Sequence, residues 1–175
     1  KGKAGKTKFD FHAYTGAGKV ARKIPLLNTT QYLEMRREAF ANDGALPNPS
    51  SDYDLTTWDT TRYTDWQKVL IGGTAHITDV QGGISGGNEN TQFLVGGNYL
   101  QESTVFPGDF ADQKESAHIN LSTTSTDKRF RASVTASYVN EQNNLLRLDF
   151  DLSSLPPPDT PPIYDSAGKL NWAGG

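Results

Sequence analysis

Between residues 129 and 138 apolar and polar positions alternate without a break. Phe130, Ala132, Val134, Ala136 and Tyr138 fall on one side of an extended backbone, and Arg129, Arg131, Ser133, Thr135 and Ser137 fall on the other. The preceding run does the same, with Ala117, Ile119 and Leu121 against His118, Asn120 and Ser122. Ser125, Thr126, Asp127 and Lys128, between the two runs, are suited to a turn. The pattern predicts a β-hairpin with one apolar wall. Such a hairpin belongs either to a soluble sandwich, whose apolar face packs on a second sheet, or to a membrane barrel, whose apolar face meets lipid. The period alone does not choose between them.

Three more strands are predicted upstream. In the first, Phe9, Phe11 and Ala13 alternate with Lys8, Asp10 and His12. It is assigned to residues 8–24, with Gly16 and Gly18 as an early stop and Arg22 as a late one, after a connector over residues 1–7. In the second, Thr78, Val80, Gly82 and Ile84 alternate with Asp79, Gln81, Gly83 and Ser85. In the third, Phe93, Val95, Gly97 and Tyr99 share a side, while the other side mixes Gln92 and Asn98 with Leu94 and Leu100. Strands two to five together occupy residues 75–142, with tight turns near 88–90 and 125–128.

One helix is expected, at about residues 29–42. Asn28 and Gln31 have capping-box spacing, Tyr32, Leu33, Arg36, Ala39 and Phe40 fit one helical face, and Gly44 closes it. Arg36, Arg37 and Glu38 read as its solvated side. The helix lies within a long polar connection over residues 25–74. Residues 143–175 form another excursion, because Pro156, Pro157, Pro158, Pro161 and Pro162 lack the amide that a ladder needs. Long and short connections therefore alternate. In an up-and-down sheet this puts every long connection at one end, the asymmetry of outer-membrane barrels. The expected fold is mainly β, with antiparallel up-and-down strands forming part of a transmembrane β-barrel and one short helix in a long external loop.

Composition is compatible with that wall. Only 35% of the residues are hydrophobic and 17 are glycine, as expected where every second strand residue faces water. A formal charge of -3 gives no electrostatic case for nucleic acid. With no cysteine there is neither a disulfide framework nor a thiolate metal site. No apolar run approaches the roughly 18–20 residues of a membrane-spanning helix. Lys1 in place of a starting Met, and Gly174 and Gly175 after a loop-like run, lead us to expect a piece of a larger protein.

Candidate chemistry is sparse. Gly16-Ala17-Gly18-Lys19 lacks two elements of a phosphate loop, since Ala13 and Val20 occupy the positions that require Gly and Ser or Thr. Asp52, Asp54, Asp59 and Asp65 crowd one polar stretch, but their spacing matches no EF-hand loop, and capping and Asx-turns account for them. His12, His76 and His118 are far apart in sequence, so no metal site is assigned. Trp58, Trp66 and Trp172 lie in loop-like segments, where structural anchoring is favoured over stacking on sugar rings. No catalytic, cofactor-binding or metal residue is assigned, and the substrate contacts are unknown.

Certain segments resemble a known family. Asp65-Trp66-Gln67, then Ser85-Gly86-Gly87-Asn88-Glu89-Asn90-Thr91 and Gly97-Asn98-Tyr99-Leu100, are similar to the SusC/RagA class of TonB-dependent outer-membrane transporters. Leu27-Asn28 before Gln31-Tyr32, and Pro162-Ile163-Tyr164 before Gly168-Lys169-Leu170-Asn171-Trp172, add to the likeness, and Lys1-Gly2-Lys3 looks like the residues just after that family's plug domain. The resemblance implies a Gram-negative outer-membrane barrel of about 22 strands that imports oligosaccharides or peptides. It also implies a SusD-like surface lipoprotein as lid, and a TonB complex engaged through parts absent here. This chain would supply the first strands after the plug, with Phe130, Ala132, Val134, Ala136 and Tyr138 toward lipid and Tyr99 and Tyr138 near the interfacial girdle. Without the resemblance, the rival is a soluble β-sandwich carbohydrate-binding module, with an enzyme a distant third.

Overall fold

In the computed structural model, which describes residues 4–147 and 155–172, five antiparallel strands form one open sheet in chain order. They are β1 (Gly5–Gly18), β2 (Ala75–Gly87), β3 (Thr91–Ser103), β4 (Ala111–Thr124) and β5 (Arg131–Asn143). The chain divides into two units: residues 1–19 and 73–147 carry the sheet, and residues 20–72 and 148–175 form the second. β1 starts and stops earlier than its sequence pattern suggests. Its pairing with β2 runs from Gly5↔Gly87 to Gly18↔Ala75, so the ladder ends where the partner strand ends and residues 19–24 lie outside it.

Register decides which residues share a face, because directly paired residues in an antiparallel ladder point the same way. One row runs Phe11↔Gly82↔Gly97↔Ala117↔Tyr138, and the next runs Phe9↔Ile84↔Val95↔Ile119↔Ala136. Gly86↔Phe93↔Leu121↔Val134 follows toward the tight turns, and Ala13↔Val80↔Tyr99 lies on the other side. All five apolar sets therefore meet on one face. β3, whose sequence pattern is mixed, joins through Phe93, Val95, Gly97 and Tyr99, while Leu94 and Leu100 point to the opposite, mostly polar face.

The two tight turns are built alike. After β2, the Asn88 side chain accepts the amides of Asn90 and Thr91, and Asn88 N donates to Thr91 O at 2.7 Å. After β4, Asp127 accepts the amide of Arg129, and Ser125 N donates to Phe130 O at 2.8 Å. These side-chain-to-backbone bonds are why Asn and Asp suit such turns. The other connections leave from the opposite end, at Gly18, Ala75, Ser103, Ala111 and Asn143.

The second unit contains α1 (Thr29–Asp43) and two short helices, α2 (Tyr53–Thr56) and α3 (Trp66–Ile71). At α1 the capping box is present: Asn28 Oδ1 accepts Gln31 N at 3.0 Å and Gln31 Oε1 accepts Asn28 N at 3.1 Å. Gly44, at φ 63°, ends the helix in the left-handed conformation. α2 and α3 have too few residues for a 3.6-residue period to show. Only Leu33 and Trp66 are buried apolar side chains among the described residues, and both belong to this unit.

Gly87 carries a testable constraint. Its φ is 138°, and a Cβ there would lie 2.1 Å from Thr91 O. Gly87→Ala is expected to destabilise the β2–β3 hairpin by more than about 1 kcal/mol, since alanine tolerates neither the conformation nor the contact. Chemical denaturation of the two forms side by side measures it.

Candidate functional site

The sheet offers two chemically distinct surfaces. On the apolar face Phe9 is 77% exposed, Phe11 76%, Tyr138 67% and Val134 59%, and the described residues contain no second sheet above them. Toward the end with the long connections this face turns polar, at Glu115↔Asn140 and then at Thr78↔Gln101↔Gln113↔Gln142. Tyr99 lies at that border, its hydroxyl 3.1 Å from Gln101 Oε1.

The opposite face carries hydrogen-bonding and charged groups. Asn120 Nδ2 donates to Thr135 Oγ1 at 2.7 Å, Lys114 pairs with Glu141 at 3.3 Å, and buried Asp79 faces Gln81 and Asn98 at 3.3 and 3.4 Å. Gly83↔Gly96 at the centre replaces side chains with space, and the His118 ring folds over Gly96, where a Cβ would come within 2.6 Å of it. The result is a hollow of about 360 Å³ lined by Asp10, His12, Gln81, Asn98, Ser116 and His118. The fold thus brings together His12 and His118, which lie far apart in sequence. His76 lies elsewhere, and no group of three metal-ligating side chains occurs among the described residues.

In the second unit, α1 and α2 meet through charge. Arg36 Nε donates to Asp54 Oδ2 at 2.9 Å, Arg36 Nη2 donates to Asp52 Oδ1 at 2.8 Å, and Tyr32 OH donates to Asp54 Oδ2 at 2.9 Å. The Arg36 guanidinium also lies 5.3 Å from the centre of the Phe40 ring. Arg36 is therefore no simple solvated residue of the helix. Burial, reinforced by the Asp54 carboxylate, pushes the Tyr32 phenol up to about 12. The Asn48 amide, helped by Arg36, holds Asp52 below the usual carboxylate range.

The four aspartates of this stretch separate by role. Asp59 accepts Thr61 N and Asp65 accepts Lys68 N at the start of α3, both at 2.9 Å, as turn and cap residues do. Asp52 accepts Asn48 N at 2.8 Å as well as the Arg36 guanidinium. Asp54 is buried in the ion cluster. Trp66 is buried, and its indole donates to Pro157 O at 2.9 Å, which makes it an anchor. Trp58 stacks with Tyr53 at 6.3 Å, and Trp172 is exposed. Thr64 N donates to Pro158 O at 2.7 Å, so the proline run seats on residues 64–66. A cavity of about 320 Å³ opens beside this seat, lined by Leu26, Leu27, Tyr32, Tyr63, Trp66 and the prolines. Gly16–Gly18 forms the end of β1.

Arg36→Met is expected to destabilise the second unit by about 2–3 kcal/mol, because it strands the buried Asp54 charge. The effect falls short of a fully buried pair because the Arg36 side chain keeps 30% exposure. Equilibrium unfolding checks it, and Arg36→Lys should recover only part of the loss, lacking the two-pronged guanidinium. Neither a protein-family model nor a curated protein matches the chain.

Proposed function

We propose that the sheet is a stretch of the wall of a transmembrane β-barrel in a Gram-negative outer membrane, and that the barrel is a SusC/RagA-type TonB-dependent transporter importing oligosaccharides or peptides. The observation that carries the reading is the apolar face running across all five strands, with large side chains exposed on β1, β3, β4 and β5 and half-buried on β2, backed by a polar face. In water such a surface is costly, each large side chain forgoing about 1.5–3 kcal/mol of burial. Against lipid it is stable, provided that the backbone pairs all the way around a closed barrel.

Four further features support it. Each strand has 13 or 14 residues, more than the roughly 9–11 that a tilted strand needs to cross a bilayer. Short turns lie at one end of the sheet and long connections at the other, as in such barrels. Tyr99 and Tyr138 lie where the apolar rows give way to glutamine and asparagine, suiting them to the interfacial girdle. Among the described residues β1 pairs only with β2, and β5 only with β4, leaving two edges on which additional barrel strands would add. The polar face, with its glycine-floored hollow, would line the lumen. A SusD-like lipoprotein and a TonB complex are the partners this reading brings with it, through the sequence resemblance alone. It assigns the chain no catalytic role. A soluble carbohydrate-binding sandwich would require a second sheet over the apolar face.

The chain is expected to associate with lipid vesicles or detergent and to aggregate in plain buffer. A sharp cooperative melt from a detergent-free monomer would overturn the proposal. Val134→Arg should weaken vesicle association by about 2–4 kcal/mol if Val134 meets the bilayer midplane, whereas Thr135→Arg, on the opposite face, should leave it unchanged. Equal effects at the two positions would count against a lipid-facing wall.

A further inference from the structure

In the second unit, one carboxyl side chain is buried with no counter-charge on it among the described residues. Asp159 follows the three prolines and has no accessible surface, and neither of its carboxylate oxygens meets a donor from another residue among the described ones. Buried carboxylates are ordinarily paired, because an unpaired charge loses its hydration without compensation. A neighbouring carboxylate makes ionisation harder still, and the other charged or titratable groups nearby are engaged elsewhere. Asp54, on α2, adds a like charge. Tyr32, on α1, is itself made harder to ionise by Asp159 and donates its hydroxyl hydrogen bond to Asp54 Oδ2. Arg36, on α1, directs Nε to Asp54 and Nη2 to Asp52.

Asp159 also sits in a segment with a definite seat. Pro157 O accepts Trp66 Nε1 at 2.9 Å and Thr160 N at 3.1 Å, and Pro158 O accepts Thr64 N at 2.7 Å. With Pro156, these prolines form one wall of the 320 Å³ cavity beside Tyr63 and Trp66. We propose that Asp159 is a proton-operated latch: uncharged, it lets the proline turn seat on residues 64–66 and complete the cavity wall; ionised, it drives the turn off its seat.

Burial, then the neighbouring Asp54, raises the Asp159 carboxyl above the usual range, outweighing the opposing effect of Asp159's own backbone amide. The direction of pH dependence follows. The seated state binds the proton more tightly than the released state, so seating is strongest below the ordinary aspartate pKa of about 3.9 and weakens as pH rises through the elevated value. This latch goes beyond the transporter reading and does not depend on it, since every group involved lies within the second unit.

Trp66 is a built-in reporter. The chain has three tryptophans, so a Trp58→Phe/Trp172→Phe background leaves Trp66 alone. In that chain Trp66 is expected to be shielded from acrylamide at low pH and to become severalfold more quenchable along a single titration, with a midpoint above the ordinary aspartate value. With Asp159→Asn added, it should stay shielded throughout. The same quenching curve with and without Asp159→Asn would overturn the latch. Should the Asn variant fail to fold, the native chain decides by the ¹³C carboxyl signal of Asp159. A midpoint above the ordinary range that coincides with the Trp66 transition supports the latch, and an ordinary midpoint or no coincidence overturns it.

Discussion

Side chains on a strand alternate, so a one-residue slip in any ladder would turn that strand's apolar set to the other side of the sheet. Four ladders in phase are what give this chain its two faces. The pairing is held from its ends and its middle. Asn88 and Asp127 close the two hairpins through side-chain oxygens that accept backbone amides and set where the next strand begins. In the centre, Gly82↔Gly97 and Gly83↔Gly96 meet, and a side chain on β3 would crowd a neighbour there, at Gly97 and most sharply at Gly96 under the His118 ring. Glycine weakens an isolated strand, and here it makes room for larger side chains on the adjoining strands.

The two units solve the problem of stability by different means. The sheet contains no buried apolar side chain among its described residues; its order comes from backbone pairing, and most of its apolar side chains lie on one face. The second unit has a small core at Leu33 and Trp66 and depends heavily on polar bonds. Gln67 is an example: its amide accepts Ile24 N at 3.1 Å and donates to Ile24 O at 2.7 Å, fixing an otherwise irregular segment. Such bonds must be satisfied when buried, which is why the unpaired Asp159 stands out. A lipid-facing role would reconcile the missing sheet core with a folded protein, because hydrocarbon would take the place of a second layer.

Much of this was legible in particular residues. The alternation around Phe130–Tyr138, Ala117–Leu121 and Phe9–Ala13 reports strands directly, because a period of two is the geometry of a strand. The capping box of Asn28 and Gln31 and the stop at Gly44 delimit α1 by local backbone chemistry. These signals involve neighbours in sequence, and the chain alone carries them. The mixed pattern of β3 did not settle its own orientation, since Leu94 and Leu100 compete with Phe93 and Val95; only the ladders to β2 and β4 place it. α2 and α3 were too short to announce themselves, and β1 ends where its partner does.

Sequence by itself determined the strand count, the chief helix, the tight turns and the apolar side of most strands, because each depends on spacing within a few residues. Tertiary structure alone decided that all five apolar sets share a face and that His12 and His118 border one hollow. It alone made Arg36 join Asp52 to Asp54, set Trp66 on Pro157 and left Asp159 buried without a counter-charge. Those are relations between residues 16 to more than 100 positions apart. Burial and pairing at that range depend on where the backbone brings the partners, and no local period encodes it.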